Sequence, residues 1–219
     1  MCVGYVRASQ VTFVQPDSED RLRGLTLRPS ICSQRPCPLF YLRADYDGYE
    51  VRTYKPATYA FTTVSTEFGY DKAVEEGVER MREYWAGDND RKEVLENTGT
   101  TTIIAPVMTE ENQVLPDTVE IAWYISCQSQ KDPPVPNNSL ITLSKVPEQS
   151  FAVKNFGGFA TRDSILATLE PFYSQLFDDA SLELVKAGHV GVAVFSPSTQ
   201  HLNRYNELMV PVLVDAEDE

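Results

Sequence analysis

The chain has 219 residues, 42% of them hydrophobic and 11% aromatic, and a formal charge of −13. That length fits one large domain or two small ones with a sizeable core, and no apolar run approaches the ~20 residues that cross a bilayer, so a soluble protein is expected. So large a negative charge argues against nucleic acid, which is held mainly by Lys and Arg on phosphate.

Residues 1–38 show no sustained periodicity and mix Pro, Ser, Arg and Asp, which reads as a poorly ordered, loosely attached tail before a domain over 39–214. The first residues lack a basic segment followed by an apolar one, so no secretory signal is read and a cytoplasmic location is the expectation. Cys2, Cys32, Cys37 and Cys127 are too few and too scattered for a disulfide framework, and reduced thiols follow. With only His189 and His201 to join them, a four-ligand zinc site is not expected.

Tyr49, Val51 and Thr53 alternate with Glu50 and Arg52 in the period-2 pattern of a half-buried strand, and residues 59–64 supply a second after the break at Lys55-Pro56. From 71 to 86 the apolar residues Val74, Gly77, Val78, Met81 and Trp85 recur at helical steps, with Lys72, Glu75, Glu76, Glu79, Arg80 and Glu83 on the other face. Asp71 fits an N-cap or first-turn acid and Gly87 a stop. Strands follow over 101–107 and 119–127, and the run from Lys131 to Asn138, with three prolines, is the clearest connector. A second helix over 162–177 carries Ile165, Leu166, Leu169, Phe172, Tyr173 and Leu176, with Pro171 expected to kink or interrupt it. Strands over 189–195 and 207–214 end the domain, and 215–219 form a frayed acidic end.

Residues 49–87 and 141–176 repeat the same order of strand, proline break, strand and helix, at a constant offset of about 91 residues that sets Pro56 opposite Pro147 and Phe68 opposite Phe159. The economical fold is α+β: one antiparallel sheet from two pseudo-symmetric halves, curled toward a distorted β-barrel, with two flanking α-helices.

No catalytic grouping emerges: neither histidine sits in a metal, nucleophile or phosphate motif, so no enzyme is expected. Phe156-Gly157-Gly158-Phe159-Ala160 lacks a nearby Lys that would make it a phosphate cradle and reads as a tight turn. The stripe Val74, Val78, Met81, Trp85 either packs on the sheet or lines a groove for a flat apolar ligand. Arg82 is the best counter-charge on a helix otherwise rich in Glu. Cys37-Pro38 is a minimal thiolate haem motif in an unpromising context.

The stretch from Tyr49 to Ser65, Gly87-Asp88-Asn89, Ala105-Pro106-Val107, the Phe156–Ala160 turn and residues 202–208 together resemble the SOUL haem-binding protein family, in order from about 46 to 214. The resemblance implies non-enzymatic binding of haem or porphyrin, as buffer or carrier, in a shallow apolar groove beside the first helix, which maps onto Val74, Val78, Met81, Arg82 and Trp85. Where one branch of the family has a histidine proposed as iron ligand, this chain has Thr53, so no clear axial ligand and no metal site are implied. Asn206 and Glu207 read as structural residues that satisfy backbone or Arg204. The alternative is a protein-interaction module that has lost haem, with Leu166, Leu169, Tyr173 and Leu176 of the second helix anchored in a partner's groove. The two-half barrel also resembles effector-binding domains of bacterial multidrug regulators, which would make it a small-molecule sensor.

Overall fold

The computed structural model describes residues 6–7, 26–32, 35–98, 100–106, 117–178, 183–184, 189–196 and 200–214. Twelve strands form one sheet: β1 Val6–Arg7, β2 Thr26–Arg28, β3 Phe40–Tyr46, β4 Tyr49–Tyr54, β5 Ala57–Ser65, β6 Thr101–Pro106, β7 Thr118–Tyr124, β8 Ile141–Val146, β9 Gln149–Phe156, β10 Glu183–Leu184, β11 His189–Val194 and β12 Asn206–Leu213. Among the described residues two α-helices accompany it, α1 Tyr70–Trp85 and α2 Arg162–Asp178. The fold class is the expected α+β.

The sheet order β4-β9-β12-β11-β6-β7-β5-β8, extended beyond β4 by β3, β2 and β1, realises the repeat. Exchanging β4, β5, β6 and β7 for β8, β9, β11 and β12 turns that order into its own reverse, which is a pseudo-twofold through the β6–β11 pair. Only Lys55-Pro56 separates β4 from β5, and only Pro147-Glu148 separates β8 from β9, although the strands so joined are far apart in the order. Such short links force the sheet to curl until those strands face each other, giving a barrel-like shape without hydrogen bonds between β1 and β8. Proline suits both links, because its fixed φ and missing N–H end a strand where the chain must turn.

The core lies between the helices and one face of the sheet. On α1 the buried residues are Tyr70, Ala73, Gly77, Met81, Tyr84 and Trp85, while Val74 and Val78 lie half-buried at its margin. The helix presses closest at Gly77, where a Cβ would stand 2.5 Å from Ile121 Cγ1, so the buried stripe is centred on the glycine rather than on the valines. Gly69 occupies the N-cap, Asp71 sits in the first turn, and Gly87 follows the helix at φ 109°, the left-handed stop that glycine favours. On α2, Ile165, Leu169, Phe172 and Leu176 are buried. The helix runs on through Pro171, so the proline does not interrupt it. Both Pro171 and Ala167, whose carbonyl loses its partner, are exposed, so water can meet that carbonyl.

Two expectations for the beginning of the chain change. Within 1–38, β2 pairs with β3, and Leu27, Cys32 and Cys37 are buried, so described structure begins well before residue 39; residues 8–25 lie outside the described set. The thiols are not reduced: a single 3-10 turn at Ser30–Cys32 brings Cys32 within 6.3 Å (Cα–Cα) of Cys37 and the two form a disulfide. Cys127 is disulfide-bonded as well. Neither Cys32 nor Cys37 is therefore available to zinc or, as a thiolate, to haem. No helix of the described residues is long and apolar enough to cross a membrane.

Candidate functional site

Because side chains alternate along a strand, the face of the sheet turned from the helices carries the residues between the core positions. On β12 the core takes Leu208, Val210 and Val212, while Glu207, Met209 and Pro211 face the other way; on β11 Val190 and Val192 alternate with His189, Gly191 and Ala193. These outward residues, with Tyr54, Tyr59, Phe61, Ile104, Phe151 and Phe195, border a cavity of about 690 Å³ held in the curl of the sheet. Pro29 and Pro38, either side of the Cys32–Cys37 disulfide, border it too. Its walls are mainly apolar and aromatic, with Tyr54 and Phe151 edge-to-face at 5.9 Å and Tyr59 and Phe61 6.1 Å apart.

One charged group is buried in this wall. Glu207 is fully buried, and its Oε1 accepts from Arg52 Nη1 at 3.0 Å, with the Tyr205 hydroxyl also 3.0 Å away. Arg52, itself buried, donates from Nε to Glu50 at 2.6 Å, and its guanidinium lies 4.5 Å from the centre of the Phe40 ring. Burial opposes the charge on Arg52, but Tyr54, Glu207 and Glu50 outweigh it and hold the guanidinium well above its ordinary pKa. Burial pushes the phenols of Tyr54, Tyr59 and Tyr205 far upward, so all three stay neutral donors. Glu120, across the cavity, has its carboxyl pKa raised by burial and partly drawn back down by His189.

The residues singled out from the sequence lie elsewhere. Met81 is 0% exposed and Trp85 6%. Trp85 donates from Nε1 to the Glu96 carbonyl and packs edge-on against Trp123 at 4.9 Å. Val74 and Val78 pack half-buried on the core margin, and Arg82 is exposed and paired with Glu79 at 3.0 Å. No residue of α1 borders the cavity. Thr53 does: its Oγ1 accepts from Arg43 Nε at 2.9 Å and lies 2.8 Å from Ser150 Oγ.

Sequence reasoning placed Asn206 and Glu207 as structural. Asn206 fits, donating from Nδ2 to the carbonyls of Phe156 and Gly158, and Arg204 Nε reaches Gly158 as well. Gly158, at φ 81°, thus belongs to a tight turn tied to the last strand, as expected of the Phe156–Ala160 segment. Glu207 pairs with Arg52 rather than Arg204, and the cavity it borders was missed. The one legible signal was alternation on β12, where a lone acid stands among apolar residues.

Comparison with known proteins decides the family. The model of the SOUL heme-binding protein family matches residues 35–211. The chain belongs to the SOUL family. It is 27% identical over 161 residues to human heme-binding protein 2, covering 74% of this chain and 76% of that one, and 28% identical over 141 residues to heme-binding protein 1 of Xenopus laevis, covering 64% and 73%. Among solved structures, the C-terminal domain of EcmrR shares the fold at TM-score 0.54 and 12% identity, over 76% of this SOUL chain and 98% of that one. A Listeria innocua protein of unassigned role does so at TM-score 0.51 and 10% identity, over 78% and 94%.

Proposed function

We propose that this SOUL protein binds a tetrapyrrole, haem or free porphyrin, by non-covalent contact and without catalysis, as a carrier or buffer. The observation that carries this reading is the cavity of about 690 Å³ with aromatic walls, in a chain of the haem-binding SOUL family. Its volume lies in the range of pockets that bury small ligands, and flat rings such as Phe61 and Phe151 suit a planar guest. The seat therefore moves from the groove beside α1 to the cavity, because Met81 and Trp85 offer a ligand no surface. Haem fits the donors present in part: His189 is the imidazole on the cavity wall and Lys55 the ammonium at its border, suited to a propionate. Thr53, already hydrogen-bonded on both sides, supplies no iron ligand.

The groove beside α1 remains the second reading, with Val74, Val78 and Arg82 as its accessible part. Titration with haemin and with protoporphyrin separates the two. On the cavity reading, both perturb the Soret band at micromolar ligand, Ile104→Trp weakens binding by filling the cavity, and Arg82→Glu leaves it unchanged. The opposite pattern moves the ligand to the helix, and no Soret change with either compound rejects tetrapyrrole binding. Partner binding through α2 has less support: Leu169 and Leu176 are in the core, so that helix would have to leave the sheet to present them. The cytoplasmic expectation rests on the missing secretory signal alone, and the Cys32–Cys37 disulfide counts against it, since disulfides persist in oxidising compartments.

A further inference from the structure

Four buried side-chain polar atoms among the described residues have no hydrogen-bond partner, on Trp123, Arg162, Asn206 and Glu207. Of these residues only Glu207 borders the cavity. Its Oε2 is a carboxylate oxygen with no donor, in a side chain 1% exposed. Leaving such an oxygen dry is costly, and native structures almost always supply a partner. The neighbouring cation does not supply it. Arg52 is divided between Glu50 and Glu207, so one guanidinium serves two carboxylates and a negative charge is left over. The rest of the wall does not offset it: Glu120 and Glu148 stand against Lys55 and His189.

We propose that the cavity takes flat aromatic cations, with the charge drawn toward the side of the wall in which Glu207 is buried and the rings against Tyr54, Tyr59, Phe61 and Phe151. Two physical terms favour the cation over an anion of the same shape. The uncompensated carboxylate is buried in the wall, where charges interact more strongly than in water, and attracts a cation while repelling an anion. The faces of the aromatic side chains attract positive charge and repel negative charge. For a tetrapyrrole the consequence is directional: the macrocycle enters edge-first and the propionates stay at the border by Lys55, away from Glu207. The inference rests on the cavity being open to a guest, as proposed above, but not on that guest being haem.

The test uses N-methylacridinium and anthracene-9-carboxylate, three-ring probes of similar size and opposite charge, in fluorescence titrations with the full chain. The cation is expected to bind at least about tenfold tighter than the anion, and Glu207→Gln to shrink that ratio below about threefold. Because the ratio in the unaltered protein is itself diagnostic, the inference stays falsifiable if the variant fails to fold. Equal affinity for the two probes, preference for the anion, or no binding of either overturns it. A parallel haemin titration keeps the readings apart: cation binding without haemin binding defeats the tetrapyrrole reading only, and haemin binding without charge preference defeats this one only.

Discussion

Along Asn206–Leu213 every second side chain, Leu208, Val210 and Val212, packs beneath the helices, while Glu207, Met209 and Pro211 between them border an open cavity. One strand thus contributes to two environments. The helix face is sealed by close approach, down to the missing Cβ of Gly77, and by Arg80, which donates from Nη1 to Thr62 and Thr63 of β5 and pairs with Glu76. On the cavity face Phe61 and Met209 are only half-buried, and a buried ion pair, Arg52–Glu207, stands in the wall. The contrast teaches that the first face is closed by packing while the second leaves space unfilled.

The largest effect should come from the single place where the cavity face is also structural. Arg52→Met strands Glu207 in the wall without its cation and is expected to cost about 3–5 kcal/mol in urea denaturation, much of it recovered in the Arg52→Met, Glu207→Gln double variant. A loss under about 1 kcal/mol would show that the ion pair is solvated and the face less distinct than described. Next, Met81→Ala on the helix face should cost about 2–5 kcal/mol by leaving a cavity in the core. The same change at Met209, half-buried on the cavity face, should cost clearly less, and equal losses would break the comparison.

The smallest effect concerns Glu120, whose folded pKa is raised by burial despite His189. Its unfolded form gives up the proton first, so the stability supplied by the neutral acid is complete below the ordinary value of 4.5 and declines as pH rises through the folded value. Glu120→Gln should therefore stabilise the protein modestly at pH 7 and leave it unchanged at pH 4, read from the denaturation midpoint at each pH. A gain that is the same at both would show that the side chain is ordinary in the fold.

Much of the architecture was legible because it is local or repeated. The alternation around Tyr49–Thr53, the helical spacing of α1 and α2, and the offset that pairs Pro56 with Pro147 each need only neighbouring residues or a comparison of the chain with itself. What escaped was non-local. β2 and β3 carry no strong pattern and form because Leu27 and Phe40 find cover together with Tyr54 and Val153. The orientation of α1 was misjudged by about one residue, since counting apolar side chains favours Val74 and Val78, whereas close packing favours the residue with no side chain. For Glu207, the alternation on β12 marks which face it takes but not that a cavity lies on that face.

By itself, the sequence determined a two-half antiparallel sheet with two helices, since hydrophobic period and proline placement act over a few residues at a time. Only the tertiary structure decided that Met81 and Trp85 are closed, that Cys32 meets Cys37, and that Arg52 and Glu207, 155 residues apart, share one wall. The reason is physical: a strand's pattern says which side chains share a face, but which face is covered depends on how far the sheet curls and where the helices land.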